Sequence, residues 1–173
     1  REFAKQVLAI TDKPVSFEVL ADDHDTMIEQ AQAIASWGDN VYVKIPITDI
    51  GGIFNGNRIR WLWKEHNIKV NVTAITTQAQ ISWLDQFLSY RTPMILSVFA
   101  GRIADTGQNP EPVIAYAKMR HGKLKNVEVL WASTREVYNV KQAEGCGADI
   151  ITMTPDLIKK LDLFGKDLTQ YSL

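Results

Sequence analysis

Short β-branched runs alternate along the chain with stretches whose apolar residues recur at helical spacing, the pattern of consecutive βα units and a parallel sheet. Six runs read as strands: Val15 to Ala21, Val41 to Ile47, Lys69 to Ile75, Met94 to Ala100, Val127 to Ser133 and Ala148 to Met153. Thr26-x-x-Glu29 and Thr77-x-x-Gln80 have the form of capping boxes that open helices, and Gly38 is placed to end the first of them. Glu2 to Leu8 already has helical spacing. No linker, low-complexity stretch or second domain interrupts this rhythm, so residues 1–173 are expected to form a single domain.

A parallel strand buried on both faces is expected to be apolar at every position, yet here one parity is aliphatic and the other carries isolated polar groups. Val41, Val43 and Ile45 flank Lys44. Asn71 and Thr73 alternate with Val70 and Val72, Ser97 and Phe99 with Leu96 and Val98, and Ser16 and Glu18 with Val15 and Phe17. Side chains alternate across a strand, so each polar set shares one face while the aliphatic set packs under helices. Several strands offering a Glu, a Lys, an Asn, hydroxyls and an aromatic ring to one interior describe a reaction chamber inside a barrel.

Lys44 is the centre of that chamber. An ammonium within an aliphatic strand is costly unless paired or neutral, and desolvation would lower the amine's pKa and expose a nucleophile. Such lysines form Schiff bases with ketones, and the iminium accepts electrons when the adjacent C–C bond breaks. Two readings stay open, because a lysine at a strand end can also snorkel to water or pair with an acid. Glu18, on the preceding strand, suits proton shuttling across the chamber, or a simple ion pair with Lys44. Thr73 and Asn71 could hold a water or orient the amine and substrate hydroxyls, or be satisfied polar residues of a sheet.

Arg102 and Arg135 each follow a strand and fall at the C-terminal mouth of a barrel, where guanidinium groups bind phosphate in bidentate fashion. Ser133-x-x-Glu136 also has capping-box form, and a helix N-terminus there would itself favour an anion. Arg58 and Arg60 read as solvated helix charges, and His24, His66 and His121 as surface residues without metal-ligand spacing, so no metal or cofactor is expected. The Trp residues at 37, 61, 63, 83 and 131 read as core or interface packing, Cys146 as a small buried hydrophobe, and Gly51-Gly52, Gly107 and Gly145-x-Gly147 as turns. The formal net charge of −1 excludes an extended nucleic-acid surface, since phosphate-backbone binding needs a clear excess of Lys and Arg. No apolar run approaches the roughly 20 residues that cross a bilayer, so the expectation is a cytoplasmic protein without membrane contact.

With these residues laid out, the chain resembles the transaldolase family, which includes the small transaldolases and fructose-6-phosphate aldolases of the class I Schiff-base aldolase superfamily. The matching segments are Val43-Lys44-Ile45-Pro46-Ile47-Thr48, Asn71-Val72-Thr73-Ala74, Ser97 through Asp105, Trp131-Ala132-Ser133-Thr134-Arg135 and Gly147 through Thr152. The resemblance implies that Lys44 is the Schiff-base lysine, Glu18 the acid/base and Thr73 its water partner. It makes Asn71 and Ser97 contacts to the bound ketol, and Arg102, Ser133 and Arg135 contacts to phosphate. Aldolases of the family that release free ketol place Gln and Tyr where this sequence has Glu18 and Phe99, so the chain looks like a transferase. The implied reaction moves dihydroxyacetone from sedoheptulose 7-phosphate or fructose 6-phosphate to glyceraldehyde 3-phosphate or erythrose 4-phosphate, in the pentose phosphate pathway. The rival readings are an aldolase releasing dihydroxyacetone and a catalytically silent sugar-phosphate-binding barrel fragment.

The family fold is a (β/α)8 barrel. Its opening strand with an Asp and its second strand ending in Thr-Asn-Pro have no match here, so the first two βα units are expected to be absent from this chain and the C-terminal helix cut short. Sugar phosphates are the expected partners, and a homo-oligomer is compatible with the sequence.

Overall fold

The computed structural model describes residues 2–86 and 92–173. Helix α1 (Glu2–Ile10) leads into strand β1 (Val15–Glu18) and helix α2 (His24–Ala35). Then come β2 (Val41–Pro46), α3 (Gly56–Arg60) with a wider π-helical turn over Trp61–Glu65, β3 (Val70–Ile75) and α4 (Gln78–Trp83). β4 (Met94–Val98), α5 (Ala100–Asp105), α6 (Glu111–His121), β5 (Val127–Trp131), α7 (Asn139–Gly145) and β6 (Ile150–Ile151) follow, with α8 (Pro155–Lys159) and α9 (Leu168–Tyr171) at the end. The six strands pair in parallel in the order β1-β2-β3-β4-β5-β6, an α/β fold in which successive βα units build part of a barrel.

The two parities of the strands separate as the sequence pattern predicts. Val43, Ile45, Val72, Leu96, Val98 and Val129 are fully buried and pack in one large apolar cluster with Met27 and Ala31 of α2, Ile81 of α4 and Ile114 of α6. The opposite parity holds a small separate cluster of Tyr42, Ile95, Leu130 and Ala132, against which Phe99 and Ile150 pack. β3 keeps both faces correct by a local irregularity. Its register with β4 shifts between Val72 and Ile75, and Ala74 takes a left-handed φ of 60°. The extra residue puts Ile75 into the outer core while Asn71 and Thr73 stay on the inner face.

Several boundaries differ from the sequence expectation. β1 ends at Glu18 and β6 spans only Ile150–Ile151, shorter than the apolar runs, because those runs continue into loops. Helix α2 is capped by Asp23, whose carboxylate accepts from the Thr26 amide, so Thr26 lies in the first turn and is not the cap. The helix therefore opens three residues earlier than a Thr26 cap would start it. Gly38 lies beyond Ser36, which ends this helix. The Thr77–Gln80 capping box forms as expected. Ser133 does not open a helix. It takes φ 65°, and α7 begins at Asn139, whose side-chain oxygen accepts from the Arg135 and Glu136 amides.

Candidate functional site

The inner face of the sheet lines a cavity of about 620 Å³. Ser16, Lys44, Asn71, Ser97, Phe99 and Thr152 contribute its polar and aromatic wall, and Ile95, Leu130 and Ile150 an apolar one. Adjacent strands bring these side chains together. Glu18 lies in register with Lys44, and Lys44 with Asn71. The Lys44 ammonium donates to Glu18 Oε2 at 3.2 Å. Neither group is dry, because the side chains are 27% and 43% exposed. Of the two arrangements open to Lys44 from the strand pattern, the structure shows the paired one, a partly exposed amine with a carboxylate partner.

A chain of hydrogen bonds crosses the chamber beside this pair. Ser97 Oγ donates to Asn71 Oδ1 at 2.7 Å, and Asn71 Nδ2 donates to Ser16 Oγ at 3.0 Å. Both Asn71 and Ser97 are buried, and the two bonds fix the amide in one orientation. Thr73 lies two residues beyond Asn71 on the same side of β3. It is completely buried, and its Oγ1 has no hydrogen-bond partner among the described residues. A buried hydroxyl without a partner is uncommon, and it is a ready place for a bound water or a substrate hydroxyl.

Phe99 stands between two cations. The Lys44 amine is 5.8 Å from the ring centroid and the Arg102 guanidinium 4.5 Å from it. Arg102 is exposed on α5, which starts directly after β4. The loop after β5 is pressed against this helix. A Cβ at Gly101 would lie 1.6 Å from the Ser133 carbonyl oxygen, so only glycine fits. That contact places Ser133 in the chamber wall.

Arg135 is placed differently. Its guanidinium makes two bonds to Asp105, at 3.1 and 2.5 Å, and lines a second cavity of about 520 Å³ with Trp131, Asn139 and Gln142. The hydrogen bond from Arg135 holds the Asp105 carboxyl below its ordinary value and raises the guanidinium in return. The structure thus gathers Lys44, Glu18, Asn71, Ser97, Phe99 and Ser133 around one chamber, with Thr73 beneath it and Arg102 joined through Phe99. Arg135 belongs to the other side of the same loop.

Two residues read as surface groups are not. Arg58 has a side chain only 16% exposed and bonds to His24 and Asn55, with Asp49 4.0 Å away. His121 is 3% exposed, and burial pushes its imidazole below the ordinary histidine value. In both cases a partner comes from a remote segment, His24 for Arg58 and Asp85 for His121, which helical spacing cannot reveal. Cys146 is half-buried against the core, and burial pushes its thiol up. Among the described residues no group of three or more His, Cys, Asp or Glu is disposed to hold a metal, and no helix is long and apolar enough to cross a membrane.

Residues 1–171 match the model of the transaldolase/fructose-6-phosphate aldolase family. A probable transaldolase of Thermoplasma volcanium is 35% identical over 162 residues, which are 92% of this chain and 68% of the relative. A probable transaldolase of Sphingopyxis alaskensis is 32% identical over 164 residues, covering 93% of this chain and 71% of its own. A probable transaldolase 2 of Listeria monocytogenes is 34% identical over 162 residues, with 92% and 70% covered. With the motif segments on the strand ends where that family's chemistry is expected, the chain belongs to the transaldolase/fructose-6-phosphate aldolase family.

Proposed function

We propose that this protein is a cytoplasmic transaldolase that moves a dihydroxyacetone unit between sugar phosphates through a Schiff base on Lys44. The observation that carries the reading is the Lys44–Glu18 pair, an amine and a carboxylate 3.2 Å apart at the ends of neighbouring strands, facing a chamber lined by Asn71 and Ser97. The Lys44 ammonium gives one proton to Glu18, and the neutral amine attacks the ketone carbon of a ketose phosphate such as fructose 6-phosphate or sedoheptulose 7-phosphate, a second N–H proton passing to the carbonyl oxygen. Glu18, directly or through a water held at Thr73, delivers a proton to the departing hydroxyl, and water leaves as the iminium forms. The carboxylate then accepts the proton of the substrate's C4 hydroxyl as the C3–C4 bond breaks. The bonding electrons pass into the iminium, and an aldose phosphate leaves. The enamine left on Lys44 attacks the aldehyde of an acceptor, glyceraldehyde 3-phosphate or erythrose 4-phosphate, and hydrolysis releases the new ketose. Asn71 and Ser97 orient the ketol hydroxyls, while Arg102, Ser133 and Arg135 receive phosphate at the mouth.

Transfer is favoured over release of free dihydroxyacetone by Phe99, whose ring offers no hydrogen bond to a water that would protonate the enamine. Borohydride reduction in the presence of fructose 6-phosphate tests the assignment. A reduced adduct is expected on Lys44, and labelling of another lysine with Lys44 unmodified sinks it. In Phe99→Tyr, free dihydroxyacetone is expected to rise about tenfold relative to transfer product, the effect of one hydrogen bond specific to hydrolysis. An unchanged ratio in a variant that still forms the adduct assigns transfer selectivity elsewhere.

A further inference from the structure

We propose that Arg58 is a positioning residue for the Lys44–Glu18 pair, the pin of a polar hub that locks the loops following β1 and β2 to each other. This inference rests on the Schiff-base reading of Lys44.

The pair does not hold itself. Both side chains are partly exposed, and a solvent-screened ion pair is too weak to keep two flexible chains in one geometry. Their relative placement has to come from the backbone that carries them. Within the sheet, the Val19 amide donates to the Lys44 carbonyl at 3.1 Å, the last rung between the two segments. Beyond that rung the chains diverge into loops, and side chains take over.

Arg58 sits in the short helix α3, where its sequence neighbours suggest a charge in water. Its Nε instead donates to His24 Nδ1 at 3.1 Å, at the start of α2, so it grips the segment that follows β1. Its Nη1 donates to Asn55 Oδ1 and lies 4.0 Å from Asp49 Oδ2, so it also grips the segment that follows β2. Asn55 is 1% exposed and passes the restraint back toward Lys44. Its side-chain amide donates to the Pro46 carbonyl at 3.0 Å and its backbone amide to the Ile47 carbonyl at 3.0 Å. Asp49 closes the intervening loop by accepting from the Ile53 amide at 2.8 Å. A second tie runs beside the first, since Asp22 Oδ1 accepts from the Ile50 amide at 3.1 Å.

The planar guanidinium is what lets one residue serve both loops. Its donors diverge in a fixed fork, whereas a lysine ammonium at the same place carries the charge on a single atom. Asp49 has a side chain only 13% exposed, so removing the cation altogether would strand a largely buried carboxylate and unsettle the fold as well as the site. Arg58→Lys is therefore the informative substitution, because it keeps charge beside Asp49 and loses the simultaneous grip on His24 and Asn55.

The test is a double-mutant cycle read by the rate of borohydride-trapped adduct formation on Lys44 with fructose 6-phosphate, in folded protein verified by circular dichroism. Arg58→Lys is expected to slow trapping about tenfold, with the concentration of fructose 6-phosphate giving half-maximal trapping changed less than about twofold, since phosphate contacts are untouched. In a Glu18→Gln background the same substitution is expected to have no further effect, because it acts through the placement of Glu18. His24→Ala, which breaks one arm of the hub at an exposed position, is expected to slow trapping about threefold, and it decides the matter if Arg58→Lys fails to fold. An unchanged trapping rate in the folded variants, or a full tenfold loss persisting with Glu18→Gln, overturns the positioning role alone. Absence of any Lys44 adduct in the unsubstituted protein overturns the Schiff-base reading and the positioning role with it.

Discussion

The two faces of the sheet are built from alternate residues of the same strands, and they differ in what they can lose. On the outer face, Val43, Ile45, Val72 and Leu96 are sealed between the strands and the helices, where every methyl group has neighbours. On the inner face, Lys44, Asn71 and Ser97 border an open cavity, and their contacts are a few directed hydrogen bonds. One peptide bond therefore separates a residue sealed in the core from one that borders the cavity. Neighbouring substitutions can tell the two roles apart.

Ile45→Ala and Lys44→Met give the widest separation. Ile45 is completely buried, so truncating it removes transfer energy and leaves a cavity, and a loss of about 2 to 5 kcal/mol in unfolding free energy is expected in urea titration. Adduct formation on Lys44 should survive in whatever fraction stays folded. Lys44→Met is expected to abolish the adduct while the urea midpoint moves far less, since its ion pair is exposed. Equal destabilisation by both substitutions would show that the faces are not functionally distinct.

A smaller effect concerns pH and the outer side alone. The His121 imidazole is held below its ordinary value by burial and, to a lesser degree, by the charge of Arg120, against a backbone bond to Ile81 that raises it, with Asp85 Oδ1 3.3 Å from Nε2. Its unfolded form takes up a proton as pH falls through about 6.5, whereas the folded form resists. Stability from this group is thus complete above that value and is lost on acidification. The fall between pH 7 and 5 is expected to flatten in His121→Phe, with the Lys44 trapping rate keeping its own pH dependence. A decline of unchanged steepness would remove His121 as its cause.

The smallest expected effect is at the mouth. Asp105 occupies the Arg135 guanidinium, so Asp105→Asn should free it toward a substrate phosphate and lower KM for fructose 6-phosphate by a few fold, with kcat little changed. A rise in KM would mean that Asp105 aims Arg135 and does not compete for it.

Much of this comparison is legible in the sequence, because a period of two in polarity survives in every main strand. The six strands, their order and the residues Lys44, Glu18, Asn71, Ser97 and Phe99 follow from that periodicity together with the motif segments. What the sequence does not disclose depends on choices between near-equivalent groups or on distant partners. Asp23 and Thr26 could each cap α2, and only the backbone path selects Asp23. Ser133 looks like a cap until the close approach of Gly101 forces its left-handed turn. Arg58 and His121 look solvated because the segments that enclose them lie far away in the chain. The orphaned Thr73 hydroxyl is likewise a property of three-dimensional surroundings, invisible in a strand read alone.

The contact between Gly101 and the Ser133 carbonyl couples the histories of two loops. With no room for a single methyl group between them, neither backbone can retreat or advance unless the other follows. Arg102 projects from the α5 side of this contact, over Phe99, and Arg135 from the other, held by Asp105. A residue inserted in or deleted from either segment would have to be matched by a shift of the other. The backbones that carry the two arginines are thus clamped at one spacing, whatever side chains stand at their tips.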